Sequence, residues 1–176
     1  MKKNMLTTIV AATVVVSMSQ AFAAAGTVNF NGNILDSACD VDVGSQNQVV
    51  TLGDIYKTEF PAAGARAAAK PFQIVLKNCP PGVNAAQVRF DGTPDPSNPN
   101  LLAIDNASLN AATGVAINLM SADKADLPLH GSNGYRYLLS STQDNALNFY
   151  AQYQSTAAAV TAGTANSVAN FSVVYN

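Results

Sequence analysis

Val168-Ala169-Asn170-Phe171-Ser172-Val173-Val174-Tyr175 is the stretch that decides the fold of this chain. Side chains alternate across a strand, so Ala169, Phe171, Val173 and Tyr175 share one face, and Val168, Asn170, Ser172 and Val174 share the other. The stretch is apolar enough for a core strand, yet nothing after Asn176 is there to flank it. An apolar strand left at a sheet edge invites pairing with another chain. The plainer alternative is that an earlier strand covers it, and alternation alone does not choose between the two.

Working back from that strand, runs of alternating apolar and polar residues bounded by Gly, Pro, Asn and Asp recur through the sequence. They predict an all-β sandwich. Strands are expected at 27–35, 49–55, 72–76, 87–91, 114–120, 135–139, 147–153 and 168–175. The alanine-rich run 62–69 lies between Pro61 and Pro71 and is too short for a stable helix, so it reads as a connection. Residues 92–100 and 130–134, rich in Gly, Pro, Asn and Asp, read as surface loops.

The other end of the sequence begins with Lys2 and Lys3, an uncharged run from Met5 to Met18, and Ala21-Phe22-Ala23. This pattern predicts a secretory signal peptide over residues 1–23. A membrane span needs about 20 consecutive apolar residues, and this run is shorter and broken by Thr7, Thr8, Thr13 and Ser17. Without Lys2 and Lys3 the 9 basic residues become 7 against 11 acidic ones, a net charge of 7 − 11 = −4. That balance argues against a nucleic-acid surface. The only two cysteines, Cys39 and Cys79, are expected to form a disulfide once exported. Closing a loop of that size contributes about 4 kcal/mol as an upper guide.

Residues 24–37, lying before Cys39, form an extended, alternating and almost uncharged segment. It reads either as the first strand of its own domain or as a strand offered to another molecule. No metal or other cofactor is expected, since a zinc site needs about four ligands and His130 is the only histidine. His130 also has no acid near it in sequence to build a catalytic pair. Asp91 and Asp95 flank a turn, where capping is a better reading than acid and base chemistry. Tyr150 and Tyr153 fall on opposite strand faces and make no stacking platform. The chain is therefore not expected to be an enzyme.

Several motifs together carry a family resemblance. They are Thr27-Val28-Asn29-Phe30-Asn31-Gly32 before the first cysteine, Asn78-Cys79-Pro80, Phe90-Asp91-Gly92, Asn100-Leu101-Leu102-Ala103 and Leu147-Asn148-Phe149-Tyr150-Ala151. With Gly163 fourteen residues from the C-terminus and Tyr175 penultimate, the chain resembles the pilins of the chaperone-usher pathway, and most of all the minor adaptor subunits of type 1 fimbriae. The resemblance implies an incomplete immunoglobulin-like sandwich, with residues 38–176 as the pilin domain and 24–37 as an N-terminal donor strand. Its donated face would be Gly26, Val28, Phe30, Gly32 and Ile34, with Gly32 allowing close backbone approach. Burying three large apolar side chains contributes about 5–9 kcal/mol before ordering costs.

The same resemblance implies an acceptor groove and chaperone-binding edge at Gly163, Ala169, Phe171, Val173, Tyr175 and Asn176. The implied partners are a periplasmic chaperone, an outer-membrane usher and neighbouring pilins, on a fibre at the surface of a Gram-negative cell. The fifteen residues between Ala23 and Cys39 favour an adaptor over a major shaft subunit. A secreted carbohydrate-binding module and a periplasmic hydrolase are the competing readings, and neither accounts for both ends of the chain.

Overall fold

The computed structural model describes residues 26–32, 34, 38–107 and 109–175. The chain divides into two compact units, Met1–Ile34 and Leu35–Asn176. In the first, the described residues carry no regular secondary structure. Val28, Phe30 and Ile34 are 73%, 92% and 102% exposed.

Among its described residues the second unit holds eight strands: β1 (Asp40–Val41), β2 (Lys70–Lys77), β3 (Ala85–Asp91), β4 (Leu102–Ala103), β5 (Val115–Met120), β6 (Tyr137–Leu138), β7 (Asn145–Ser155) and β8 (Asn170–Tyr175). They form a five-stranded sheet in the order β1-β2-β7-β5-β4 and a three-stranded sheet in the order β6-β3-β8. All the paired strands are antiparallel. Among the described residues, helix is confined to a single turn, α1 (Val43–Gln46), and a 3-10 turn at Lys57–Glu59. Among the described residues, no helix is long and apolar enough to cross a membrane.

The inward faces of the two sheets supply one apolar core. Ile74 and Leu76 of β2, Val88 and Phe90 of β3, Ile117 and Leu119 of β5, and Leu147 and Phe149 of β7 are all buried in it. Phe149 sits at its centre, with ring centroids at 5.5 Å from Phe72, 5.3 Å from Phe90 and 5.1 Å from Tyr137. Offset and edge-on aromatic pairs at these separations add to the stabilisation from burial. Cys39 and Cys79 are joined as a disulfide, with both residues inside the core cluster.

Six expected strands, 72–76, 87–91, 114–120, 135–139, 147–153 and 168–175, correspond to β2, β3, β5, β6, β7 and β8. The one expected at 49–55 is absent. Val50 and Leu52 do turn inward, but Gly53 at φ +84° breaks the extended run. The neighbouring Gln48 side chain, not a backbone group, donates to Gln73 O of β2 at 3.0 Å. The strand expected at 27–35 falls partly outside the described residues, and its described part is unpaired coil. Residues 62–69 form a connection, tied down where Gly64 N donates to Ser155 O at 2.9 Å and Ala67 N to Tyr153 O at 3.0 Å.

Candidate functional site: an open sheet edge

β8 hydrogen-bonds along one edge only. Its register on β3 runs from Asn170 opposite Asp91 to Tyr175 opposite Ala86, and among the described residues no strand pairs with its other edge. A strand in this position presents a row of unpaired backbone N–H and C=O groups to whatever approaches. The side chains report the same opening. Ala169, Phe171, Val173 and Tyr175 face the core, as the alternation predicts, yet remain half-buried. On the adjacent β3, Val88 and Phe90 are buried to 3% and 5% exposure. Val88 and Phe90 lie inward of β8, which covers one side of them, whereas no strand covers the outer side of β8 among the described residues.

Across the opening lies the free edge of the larger sheet. After β1, Asp42 N donates to Val75 O at 2.9 Å, Val75 N to Ser45 Oγ at 2.9 Å, and Gln48 reaches Gln73 O, so residues 40–48 track the outer edge of β2. Val41 and Val50 of this segment pack against the same core and are also half-buried. At one end Tyr175 OH donates to Cys39 O at 3.3 Å, joining the last strand to the disulfide-bearing edge. Partial burial raises the Tyr175 pKa, so the phenol stays protonated and able to donate at neutral pH. The site is a strip of uncovered core bounded by two sheet edges and closed at one end by this tyrosine.

The lead-in to β8 is fixed by hydrogen bonds to distant segments. Ser167 Oγ donates to Ala103 O at 2.6 Å, Tyr153 OH to Ala165 O at 2.8 Å, and Asp105 N to Asn166 O at 2.7 Å. Gly163 lies outside β8, where its α-carbon packs on another backbone segment. A Cβ there would collide with the Asn110 carbonyl oxygen and the Ala112 amide. The glycine thus serves a close backbone approach that sets where the 164–169 lead-in starts. Asn176 lies outside the described residues, as do residues 24 and 25. Of the expected donor face, Gly26, Val28, Phe30, Gly32 and Ile34 are all described and exposed.

Sequence reasoning missed Val41 of the opposite wall, because a two-residue strand leaves no periodic signal, and it gave Val50 to a strand at 49–55 without placing it in this wall. It also missed a pairing at His130, whose Nδ1 lies 2.9 Å from Asp91 Oδ1 although 39 residues separate them. His130 is in the left-handed region at φ +58° and exposed, and no nucleophile among the described residues bonds to it. Asp95 instead accepts from Ser97 N at 2.9 Å and Asn98 N at 3.0 Å, a turn-capping role. No group of three or more potential metal ligands occurs among the described residues.

An immunoglobulin-like sandwich with one uncovered core strip defines the class of incomplete pilin domains. Residues 28–176 match the family model described as "Fimbrial protein". The chain belongs to that family, whose members are structural subunits of surface fimbriae and not enzymes. It is 40% identical over 154 residues to the fimbrial subunit type 1 of Salmonella typhimurium, covering 85% of this chain and 82% of that one. It is 37% identical over 151 residues to the probable major fimbrial subunit LpfA of Escherichia coli O157:H7, covering 85% and 83%. Among solved structures, a subunit of a chaperone-usher pilus matches with a TM-score of 0.65 at 26% identity, over 93% of this chain and all of that one.

Proposed function

We propose that this chain is exported through the periplasm with loss of residues 1–23 and polymerises by donor-strand exchange. Residues 24–37 of one copy pair with the free edge of β8 in the next. The observation that carries this reading is the half-buried face of Phe171, Val173 and Tyr175 beside an unpaired edge. In the same chain a segment exposes Val28, Phe30 and Ile34 at strand spacing. Main-chain bonds to the edge supply pairing, and alternate side chains seated on the core set the register. Before assembly a chaperone strand covers the same strip, with the residue after Tyr175 held at its carboxylate, and an outer-membrane usher hosts the replacement.

For its place in the fibre, the short segment ahead of Cys39 favours an adaptor. The likeness to a probable major fimbrial subunit favours a repeating shaft position. Immunogold labelling of fibres separates the two, since an adaptor marks one end and a shaft subunit the whole length.

The test of donor-strand exchange removes residues 24–37 from the mature protein and supplies residues 24–38 as a free peptide. The melting temperature is expected to climb with peptide concentration, because a ligand of the folded state alone stabilises by about 2.7 kcal/mol at a hundredfold excess over its Kd. A truncated domain that is stable, monomeric and indifferent to the peptide sinks the proposal.

A further inference from the structure

The sequence contains two Asn-Gly pairs, Asn31-Gly32 and Asn133-Gly134. An asparagine followed by glycine can cyclise. The glycine backbone N attacks the asparagine Cγ, and no Cβ on the glycine obstructs the approach. The N–Cγ bond forms and the Cγ–Nδ2 bond breaks. Ammonia leaves with the proton from the backbone N–H, and a cyclic imide remains. Water then opens the imide at either carbonyl, giving aspartate or, where the chain is left running through Cγ, isoaspartate. The nitrogen must come within about 3–3.5 Å of the carbon, so whatever fixes the two groups elsewhere suppresses the reaction.

The two pairs stand in opposite surroundings. Asn133 Nδ2 donates to Ser121 Oγ at 2.6 Å, and Asn133 Oδ1 accepts from Tyr135 N at 3.1 Å. The attacking atom is engaged too, since Gly134 N donates to Ser132 Oγ at 3.1 Å. Asn31 has none of these restraints. It is exposed, lies in a segment without regular secondary structure, and bonds to nothing among the described residues. A Cβ built on Gly32 would meet nothing within 4 Å, so the backbone there has room to turn.

We propose that Asn31 is a site of spontaneous deamidation, with water as the co-reactant, and that it acts as a clock on subunits that have not been assembled. The site itself stands on the local geometry, and the clock rests on the donor-strand reading. Deamidation puts a carboxylate beside Gly32, and isoaspartate also adds a backbone atom ahead of Gly32 and Ile34. Strand side chains keep to one face only while their spacing is regular, so an aged donor segment loses its register. Pairing in a fibre holds the backbone at strand dihedrals, which keeps Gly32 N away from Asn31 Cγ. An incorporated subunit therefore keeps its donor strand, and an idle one loses it.

Fibres dissociated in denaturant and diluted out of it give the full mature chain unassembled. These subunits are aged in mildly alkaline buffer beside intact fibres, and peptide mapping by mass spectrometry reads the amide-to-acid change at each site. In free subunits Asn31 is expected to react about 30-fold faster than Asn133, the weight of two hydrogen bonds that Asn133 must break. Asn31 reacting no faster than Asn133 would overturn the site. Aged wild-type subunits are expected to lose assembly in step with deamidation. Aged Asn31→Gln, whose longer side chain closes the ring far more slowly, should assemble as well as its own fresh sample. Aged wild type that assembles as well as fresh would overturn the clock. Equal rates at Asn31 in fibres and in free subunits would sink the donor-strand reading, and the clock with it, while the site stood.

Discussion

Asp126 shows how much one surface residue takes on when the fold brings it neighbours from 60 positions away. The Arg66 guanidinium holds its carboxyl below the usual carboxylate range, helped by the Asn118 amide. A depressed folded pKa means stabilisation that is complete above the unfolded value, near 3.9, and lost as pH falls through the folded one. Both side chains are about half exposed, so solvent screening limits the contribution to about 0.5–1 kcal/mol. Asp126→Asn is therefore expected to lower the urea midpoint at about pH 7, and the gap to wild type should narrow progressively as the pH falls below the ordinary carboxylate value of about 3.9. A gap that persists in acid would assign the effect to the hydrogen bonds and not to the charge. None of this was legible in the sequence, where Arg66 sits in an alanine-rich connection and Asp126 in a run with no period. The Asp91–His130 pair was hidden for the same reason.

Among the elements, β8 was the most readable and β1 the least. Six alternating residues announce which face of β8 points inward, and the structure agrees for Phe171, Val173 and Tyr175. Two-residue β1 and β4 carry no pattern at all, and Val50 and Leu52 kept their inward orientation without the strand their spacing suggested. The contrast between an inner and an edge strand makes a prediction. Phe149 on β7 is 1% exposed at the centre of the aromatic cluster, so Phe149→Ala should cost about 3–5 kcal/mol of stability. Phe171 lies at the rim, 6.4 Å from Phe90, so Phe171→Ala should cost the isolated domain less than half as much. If the open edge is where copies join, Phe171→Ala should reduce fibre yield more than Phe149→Ala does at matched stability. Chemical denaturation alongside a count of assembled material measures both, and equal losses of yield would count against β8 as the joining edge.

The whole molecule depends on links between parts of the chain that are far apart in sequence. Cys39 and Cys79 close a loop of 40 positions, and replacing both with alanine should remove about 2–4 kcal/mol. Thermal melts of the oxidised, reduced and double-alanine proteins check this. Reduced and oxidised forms that melt together would show the bond to be dispensable. The all-β class and the disulfide were legible because alternation and cysteine number are local or countable. The division into five and three strands was not, since it depends on which distant segments pair.

One such pairing sets a timetable. β8 completes its sheet by bonding β3, and the partners lie 170 − 91 = 79 to 175 − 86 = 89 positions apart. A ribosome working at roughly 5–20 residues per second therefore leaves Val88 and Phe90 uncovered for about 4–18 s after they are made. Throughout that interval the edge of β3 that β8 will occupy is open to other strands, and only the last residues to be made can close it.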